Sequence, residues 1–186
     1  MQRIIDSLYS SADLKKKVAD TLSENILEAA NLIKSRIERG GMLILMGNGG
    51  SAADCQHIAA ELVGRFKKER QAMPAIALTV DTSSLTALGN DYGFETIFER
   101  QVEALARGND VVVGISTSGN SENVLRALKK ANTIGSETIG LLGNNGGKIK
   151  DVANLSIIIP SVDTARIQEV HITIGHIICE LIEEDL

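Results

Sequence analysis

Five short apolar runs, Met42–Met46, Ala75–Val80, Val111–Ile115, Thr138–Leu142 and Leu155–Ile159, alternate along the chain with helical patterns. They are apolar throughout rather than at every second position. Both faces of each strand must therefore be covered, the condition of a parallel sheet between two helical layers. The helical patterns fall at Ala52–Phe66, near Ser83–Leu88, and at Thr96–Ala106, Ser121–Thr133 and Thr164–Glu184. This order predicts an α/β fold, a three-layer, doubly wound sandwich around a mainly parallel five-stranded sheet. Residues 1–40 come before the first strand, with Ile26, Ala30, Ile33 and Ile37 at helical spacing and Arg39-Gly40-Gly41 as a stop. They read as a helical arm, a candidate for contacts between subunits, on an α/β core of residues 41–186. With two prolines and no low-complexity stretch, residues 1–186 read as a single domain.

Net charge decides which partners to discard. At −5 the chain has no electrostatic footprint for a nucleic-acid backbone or an anionic membrane. With no Trp, two Tyr and three Phe, it also lacks a platform for stacking bases. Cys55 and Cys179 are far apart and each falls in a helical pattern, so they read as buried small hydrophobes rather than a disulfide or a metal site. No signal-type apolar core opens the chain and no run approaches the ~18 residues of a membrane span. The expected location is the cytoplasm.

Two turns carry the chemistry. Gly47-Asn48-Gly49-Gly50-Ser51 follows the first strand and opens a helix. Glycines let the backbone approach a ligand, and a helix start offers unpaired N–H groups with partial positive charge, a combination suited to phosphate. Ser116-Thr117-Ser118-Gly119-Asn120-Ser121 repeats the plan after the third strand, with four hydroxyls around a glycine. The plainer account of that stretch is a polar loop ending in Ser121 as a helix cap. In open α/β sheets ligands bind beyond the carboxyl ends of strands at the topological switch point, where two such turns can meet on one molecule. The first turn also satisfies the G-x-G-x-x-A form of a dinucleotide fingerprint. That rival wants an acid ~20 residues on, and Asp81 lies further than that.

His57 and Glu61 are one helical turn apart, opposite the apolar side formed by Cys55, Ile58, Ala59, Leu62, Val63 and Phe66. They suit one metal or one substrate, or else form a solvated ion pair. On the last helix His171 falls inside the apolar stripe of Ile167, Val170, Ile174, Ile177, Ile178, Leu181 and Ile182 and reads as a core histidine. Gln168 and His176 fall outside it, on a second face with Ile172, Gly175 and Cys179 that must pack against something. Eight residues put Gln168 and His176 about 12 Å apart along the helix, a loose arrangement for one metal. Asn90-Asp91, within Leu88-Gly89-Asn90-Asp91-Tyr92-Gly93, reads as a turn or as part of the ligand side.

Taken together, GNGGSAADCQHIAAELVGRF, PAIALTVD, GNDYGFETIF, GISTSGNSENV and ARIQEVHITIGH resemble the sugar isomerase (SIS) superfamily and, within it, the sedoheptulose 7-phosphate isomerases, over nearly the whole chain. The resemblance implies interconversion of sedoheptulose 7-phosphate and D-glycero-D-manno-heptose 7-phosphate, which feeds ADP-heptose to bacterial lipopolysaccharide or capsule. It implies a sugar-phosphate site lined by Asn48, Gly49, Gly50, Ser51, Glu61, Asn90, Asp91, Ser116, Thr117, Ser118, Ser121 and Gln168. It further implies one zinc ion per subunit on His57, Glu61, Gln168 and His176, with Glu61 and His176 as the acid/base pair, and homotetramers. Because His57 and Glu61 lie away from their helix's core, a site shared between subunits is expected. The competing reading within the superfamily is a non-catalytic regulator that binds a replication initiator; such relatives lack the carboxylate and imidazole that Glu61 and His176 supply.

Overall fold

A computed structural model describes residues 1–184. The five strands are β1 (Leu43–Gly47), β2 (Ala75–Ala77), β3 (Val111–Ser116), β4 (Glu137–Leu142) and β5 (Leu155–Ile158). They form one sheet in the order β2-β1-β3-β4-β5. Every pairing is parallel, with Gly47 opposite Ile115 and Ser116 opposite Leu142. The helices are α1 (Gln2–Glu38), α2 (Gly50–Val63), α3 (Thr82–Tyr92), α4 (Ile97–Leu105), α5 (Glu122–Ile134) and α6 (Thr164–Glu183). Continuous apolar strands produce this result directly: β1 and β3 are buried at every position. One side of the sheet packs residues of α1, α2 and α6 into a single core, with Leu43, Leu45, Val113 and Ile115 from the strands. The other side packs α4 and α5 on Ile44, Met46 and Val112.

Three local expectations change. The second strand stops at Ala77 instead of Val80. It is an edge strand with β1 alone beside it, and Thr79 turns away to bond the Ala52 carbonyl of α2 at 3.3 Å. Asp81 then caps α3, its carboxylate accepting the Ser84 N–H at 3.0 Å and hydroxyl at 2.6 Å. Those two donors hold Asp81 below the usual carboxylate range. The helix that Asp81 opens runs past Leu88 to Tyr92, where Gly93 at φ +93° ends it, so Asn90 and Asp91 are helical rather than a turn. Finally, α1 is more than an arm. Val18, Ile26, Ala29, Ala30 and Ile33 join the core, while Ile4, Leu8 and Tyr9 nearer the N-terminus stay exposed.

The core reading of His171 holds. It is fully buried, and its Nε2–H donates to the Leu142 carbonyl at 3.0 Å. Burial outweighs that bond and lowers the imidazole from 6.5 to about 4. The unfolded chain therefore takes up this proton before the folded one does. Stability is whole above the unfolded value and drains as pH falls toward the folded one, by up to roughly 3 kcal/mol. Urea midpoints measured at neutral and mildly acidic pH should show the loss. A His171→Gln variant should show less of it, and an equal loss in both would disprove the assignment.

Candidate active site

β1 sends the chain to β2 on one side, and β3 is laid on the other. The turns after β1 and β3 therefore sit side by side where the winding reverses, as the switch-point rule requires. Two residues fasten them. Asn48 Nδ2 donates to Asn123 Oδ1, and Asn123 Nδ2 returns a bond to Asn48 Oδ1, both at 2.9 Å. Asn123 is buried and also accepts the Val124 N–H at 2.9 Å. The sequence reading passed over Asn123 in favour of the hydroxyls around it.

In the first turn Gly49 has φ +56°, a conformation that suits glycine, and Ser51 is buried. Gly50 is crowded by Gln168: a Cβ there would lie 2.6 Å from the Gln168 Nε2. In the second turn the Ser121 hydroxyl does not cap α5. It meets the Ser116 hydroxyl at 2.8 Å, which in turn is 3.5 Å from that of Ser118. Ser121 does hold the N-cap position of α5, its carbonyl accepting the Leu125 N–H at 2.9 Å, but its hydroxyl joins the cluster instead of capping. Ser118 Oγ accepts the Asn120 N–H at 3.1 Å, and the Thr117 carbonyl accepts from Asn144 at 2.8 Å. Gly119, at φ +67°, lies so flat on the next loop that a Cβ would stand 2.1 Å from the Gly146 carbonyl.

A second cluster forms elsewhere on α2. His57 Nε2 lies 3.1 Å from Glu61 Oε1 and 3.1 Å from His176 Nε2 of α6. One ligand atom from each of the three residues falls within 4.8 Å of the others, a group able to hold a metal ion. His57 Nε2 carries at most one proton. With neutral rings and an ionised Glu61, one proton cannot bridge both close contacts, so at least one of them lacks a hydrogen bond, an arrangement a shared cation would relieve. The two helices run side by side: Gly50 touches Gln168, and a Cβ on Gly175 would stand 2.6 Å from Ile58 Cδ1. This is what the second face of α6 packs against. It covers Glu61 more than His57, whose side chains are 24% and 48% exposed.

His57 and Glu61 are not on the first turn of α2, where the glycine motif drew attention. At 1.5 Å per residue Glu61 stands about 16 Å along the axis from Gly50. Gln168 lies at the Gly50 end, and His57 is about 10 Å from that end. The chain therefore brings Asn48, Gly49, Gly50, Ser51, Ser116, Thr117, Ser118, Ser121 and Gln168 to one end of α2, and His57, Glu61 and His176 toward the other. Asn90 donates to Asp91 Oδ1 at 2.8 Å, and no hydrogen bond among the described residues ties either to the two turns. Asp81, the acid a dinucleotide site would use, is occupied as a helix cap. Cys55 and Cys179 are buried, with both thiols pushed up first by that burial. No described helix is long and apolar enough to cross a membrane.

Residues 8–143 match the SIS domain family. A phosphoheptose isomerase from Aquifex aeolicus is 57% identical over 99% of this chain and 96% of its own length. One from Nitratiruptor is 60% identical over 99% of this chain and 98% of its own. The solved structure of a phosphoheptose isomerase from Neisseria gonorrhoeae superposes with a TM-score of 0.94 at 43% identity, covering 98% of both chains. The chain belongs to the phosphoheptose isomerases of the SIS domain family.

Proposed function

We propose that this chain is an aldose–ketose isomerase that interconverts sedoheptulose 7-phosphate and D-glycero-D-manno-heptose 7-phosphate. The observation that carries this reading is the convergence of Glu61, His57 and His176, in a chain whose switch point offers a glycine turn and a hydroxyl cluster. Hydroxyls and main-chain N–H groups at the starts of α2 and α5 suit a phosphate dianion without a lysine cluster. Ser118→Ala should therefore weaken binding of the phosphate ester about ten- to a hundredfold, the worth of one hydrogen bond to a charged group. Its urea midpoint should barely change, because Ser118 is exposed. Unaltered affinity would remove Ser118 from the phosphate site.

Isomerisation takes a proton from the carbon beside a carbonyl and returns it to the neighbouring carbon. Glu61 does this on one face of an enediolate, and His176 moves the proton between the two oxygens or assists ring opening. Zinc fits His57, Glu61 and His176. Two donors held tetrahedrally at about 2.0–2.1 Å stand roughly 3.3 Å apart, close to the 3.1 Å seen on either side of His57. When bound, the ion would polarise the substrate oxygens. Gln168 would complete the set of four only by turning its amide away from Gly50; as placed, it serves the sugar-phosphate end.

The length of α2 between Gly50 and Glu61 supports a site assembled from more than one subunit of a homo-oligomer, with the family's tetramer as the expected form. So do the half-open His57 and the exposed Ile4, Leu8, Tyr9, Tyr92 and Phe94. Asn90 and Asp91, exposed at the end of α3, would enter the site of a neighbour. A verified monomer with full turnover would sink the shared site. The reading places the enzyme in the cytoplasm, at the head of a route to bacterial surface polysaccharide.

The direct test is incubation of the purified protein with sedoheptulose 7-phosphate, with and without a chelator, followed by NMR of the products. The aldose phosphate should appear, should fade with chelator, and should return with added zinc. If no aldose forms in zinc-supplemented buffer, the isomerase reading is wrong.

A further inference from the structure

His176 is flanked by two rings. His57 meets it edge-on at 4.9 Å between centroids, and Phe66 lies nearly parallel to it at 5.5 Å and 16°. Phe66 sits beyond the end of α2, in a stretch running to Pro74 that forms no helix or strand. A residue in such a loop holds a ring in place only if its own backbone is anchored.

The anchor is a carboxylate from the far end of α6. Glu183 accepts three consecutive main-chain N–H groups, from Phe66 at 2.9 Å, Lys67 at 2.9 Å and Lys68 at 3.0 Å. It also accepts Arg70 Nε at 2.9 Å. Both partners are shut off from water, with side-chain exposures of 2% for Glu183 and 5% for Arg70. The same guanidinium turns back to the catalytic helix, where Nη2 donates to the Glu61 carbonyl at 2.9 Å and Nη1 to the Leu62 carbonyl at 2.8 Å. One buried ion pair thus holds the backbone beneath Phe66 and the backbone of Glu61 at once. Nη1 also reaches the Gly64 and Gln71 carbonyls at 3.4 and 3.0 Å, so the guanidinium closes the end of α2 as well as the loop. What ties this clamp to the site is that the backbone it holds carries Glu61 on one side and the Phe66 ring against His176 on the other.

We propose that Glu183 and Arg70 are positioning residues for the isomerase site: together they set the Phe66 ring against the His176 imidazole and fix the main chain that carries Glu61. The proposal rests on the function assigned above for its kinetic consequence, but its geometric content stands apart from that function. None of the three residues needs to touch substrate.

Phe66→Leu keeps the apolar bulk at a half-buried position and removes the stacked ring, so it should fold. Glu183→Gln keeps the shape and removes the charge. In a carbon–proton NMR spectrum of the full-length protein, the His176 ring protons should sit upfield under the Phe66 ring. They should move downfield in Phe66→Leu and, in the same direction, in Glu183→Gln, while the His171 resonances stay put. Comparison with His176→Gln assigns the peaks. In both variants kcat should fall about ten- to a hundredfold, the cost of a modest misplacement, with KM held within about twofold because the phosphate end is untouched. His176 resonances unmoved in Phe66→Leu and Glu183→Gln would overturn the proposal. Resonances that move while kcat is held would also overturn it. If the wild-type protein itself shows no turnover, the assigned function fails, and the ring resonances alone decide the positioning.

Discussion

Replacing Glu61 by Gln stops exchange of the substrate's C1 and C2 hydrogens with solvent while leaving the protein folded. The substitution keeps the shape and removes the carboxylate, the group that can take a proton from carbon and one of the three that would hold a metal ion. A positioned general base contributes about 10²–10⁴-fold, or roughly 3–5 kcal/mol of barrier. The fold has little at stake. Glu61 is partly exposed, its carboxylate meets His57 Nε2 at 3.1 Å, and a glutamine oxygen can still accept there. The grip of Arg70 on this residue is through the main-chain carbonyl, which the substitution leaves alone. Exchange should be followed by deuterium incorporation at C1 and C2, with urea unfolding as the control. Near-normal exchange would remove Glu61 from the proton shuttle. A parallel drop in unfolding midpoint would mean that structure, not chemistry, had been lost.

How much of this was readable beforehand differs from element to element. β1 and β3 are apolar at every position because both faces are covered, so run length and composition identified them. The glycine turn and the hydroxyl turn were legible for the same reason, and parallel topology brings them together. β2 was overextended because an edge strand ends where its single neighbour stops supporting it, which composition does not reveal. The turn reading of Asn90-Asp91 comes from the turn preference of Asn, Asp and Gly, yet both residues are helical. Asp81 with Ser84 three residues on was the available sign that a capped helix had begun upstream.

The site shows the same division. His57 with Glu61 is a one-turn pair visible from spacing, whereas the contact with His176 requires knowing that α2 and α6 lie side by side. The resemblance supplied that partner; periodicity did not. Phe66 was assigned to the apolar side of its helix, but the helix ends at Val63, and the ring instead lies over His176. Arg70 and Glu183 are separated by most of the sheet in sequence. Neither lies in a motif, and a buried ion pair of that separation leaves no local pattern.

Arg70→Met should be the most damaging single change away from the reacting atoms, lowering stability by about 3–5 kcal/mol, as is usual when one partner of a buried ion pair is removed. Methionine fills much of the same space, so the loss is electrostatic and not a cavity. Glu183 is left charged and enclosed, with the three loop N–H groups as its remaining support. The Glu61 carbonyl, among the last of α2 and short of a helical partner, loses its donor as well, while the Leu62 carbonyl keeps the Met73 N–H at 3.0 Å. The pH dependence identifies the cause. Burial pushes the Glu183 carboxyl up, but the loop N–H groups and then Arg70 outweigh it and hold the group at about 2 against an ordinary 4.5. In the wild-type protein that stabilisation is therefore whole above the ordinary value and is lost as pH falls through the folded one. Without Arg70 the folded value must rise, and the acid-side loss should shrink even as overall stability drops. Urea midpoints for Arg70→Met, for Glu183→Met and for the double variant, across neutral to acidic pH, separate the contributions. Removing both charges should cost less than the sum of the two single changes, because no ion is then left buried alone. Strict additivity would mean that the two side chains stabilise the loop independently, and the picture of one clamp acting on Phe66 and Glu61 together would have to be given up.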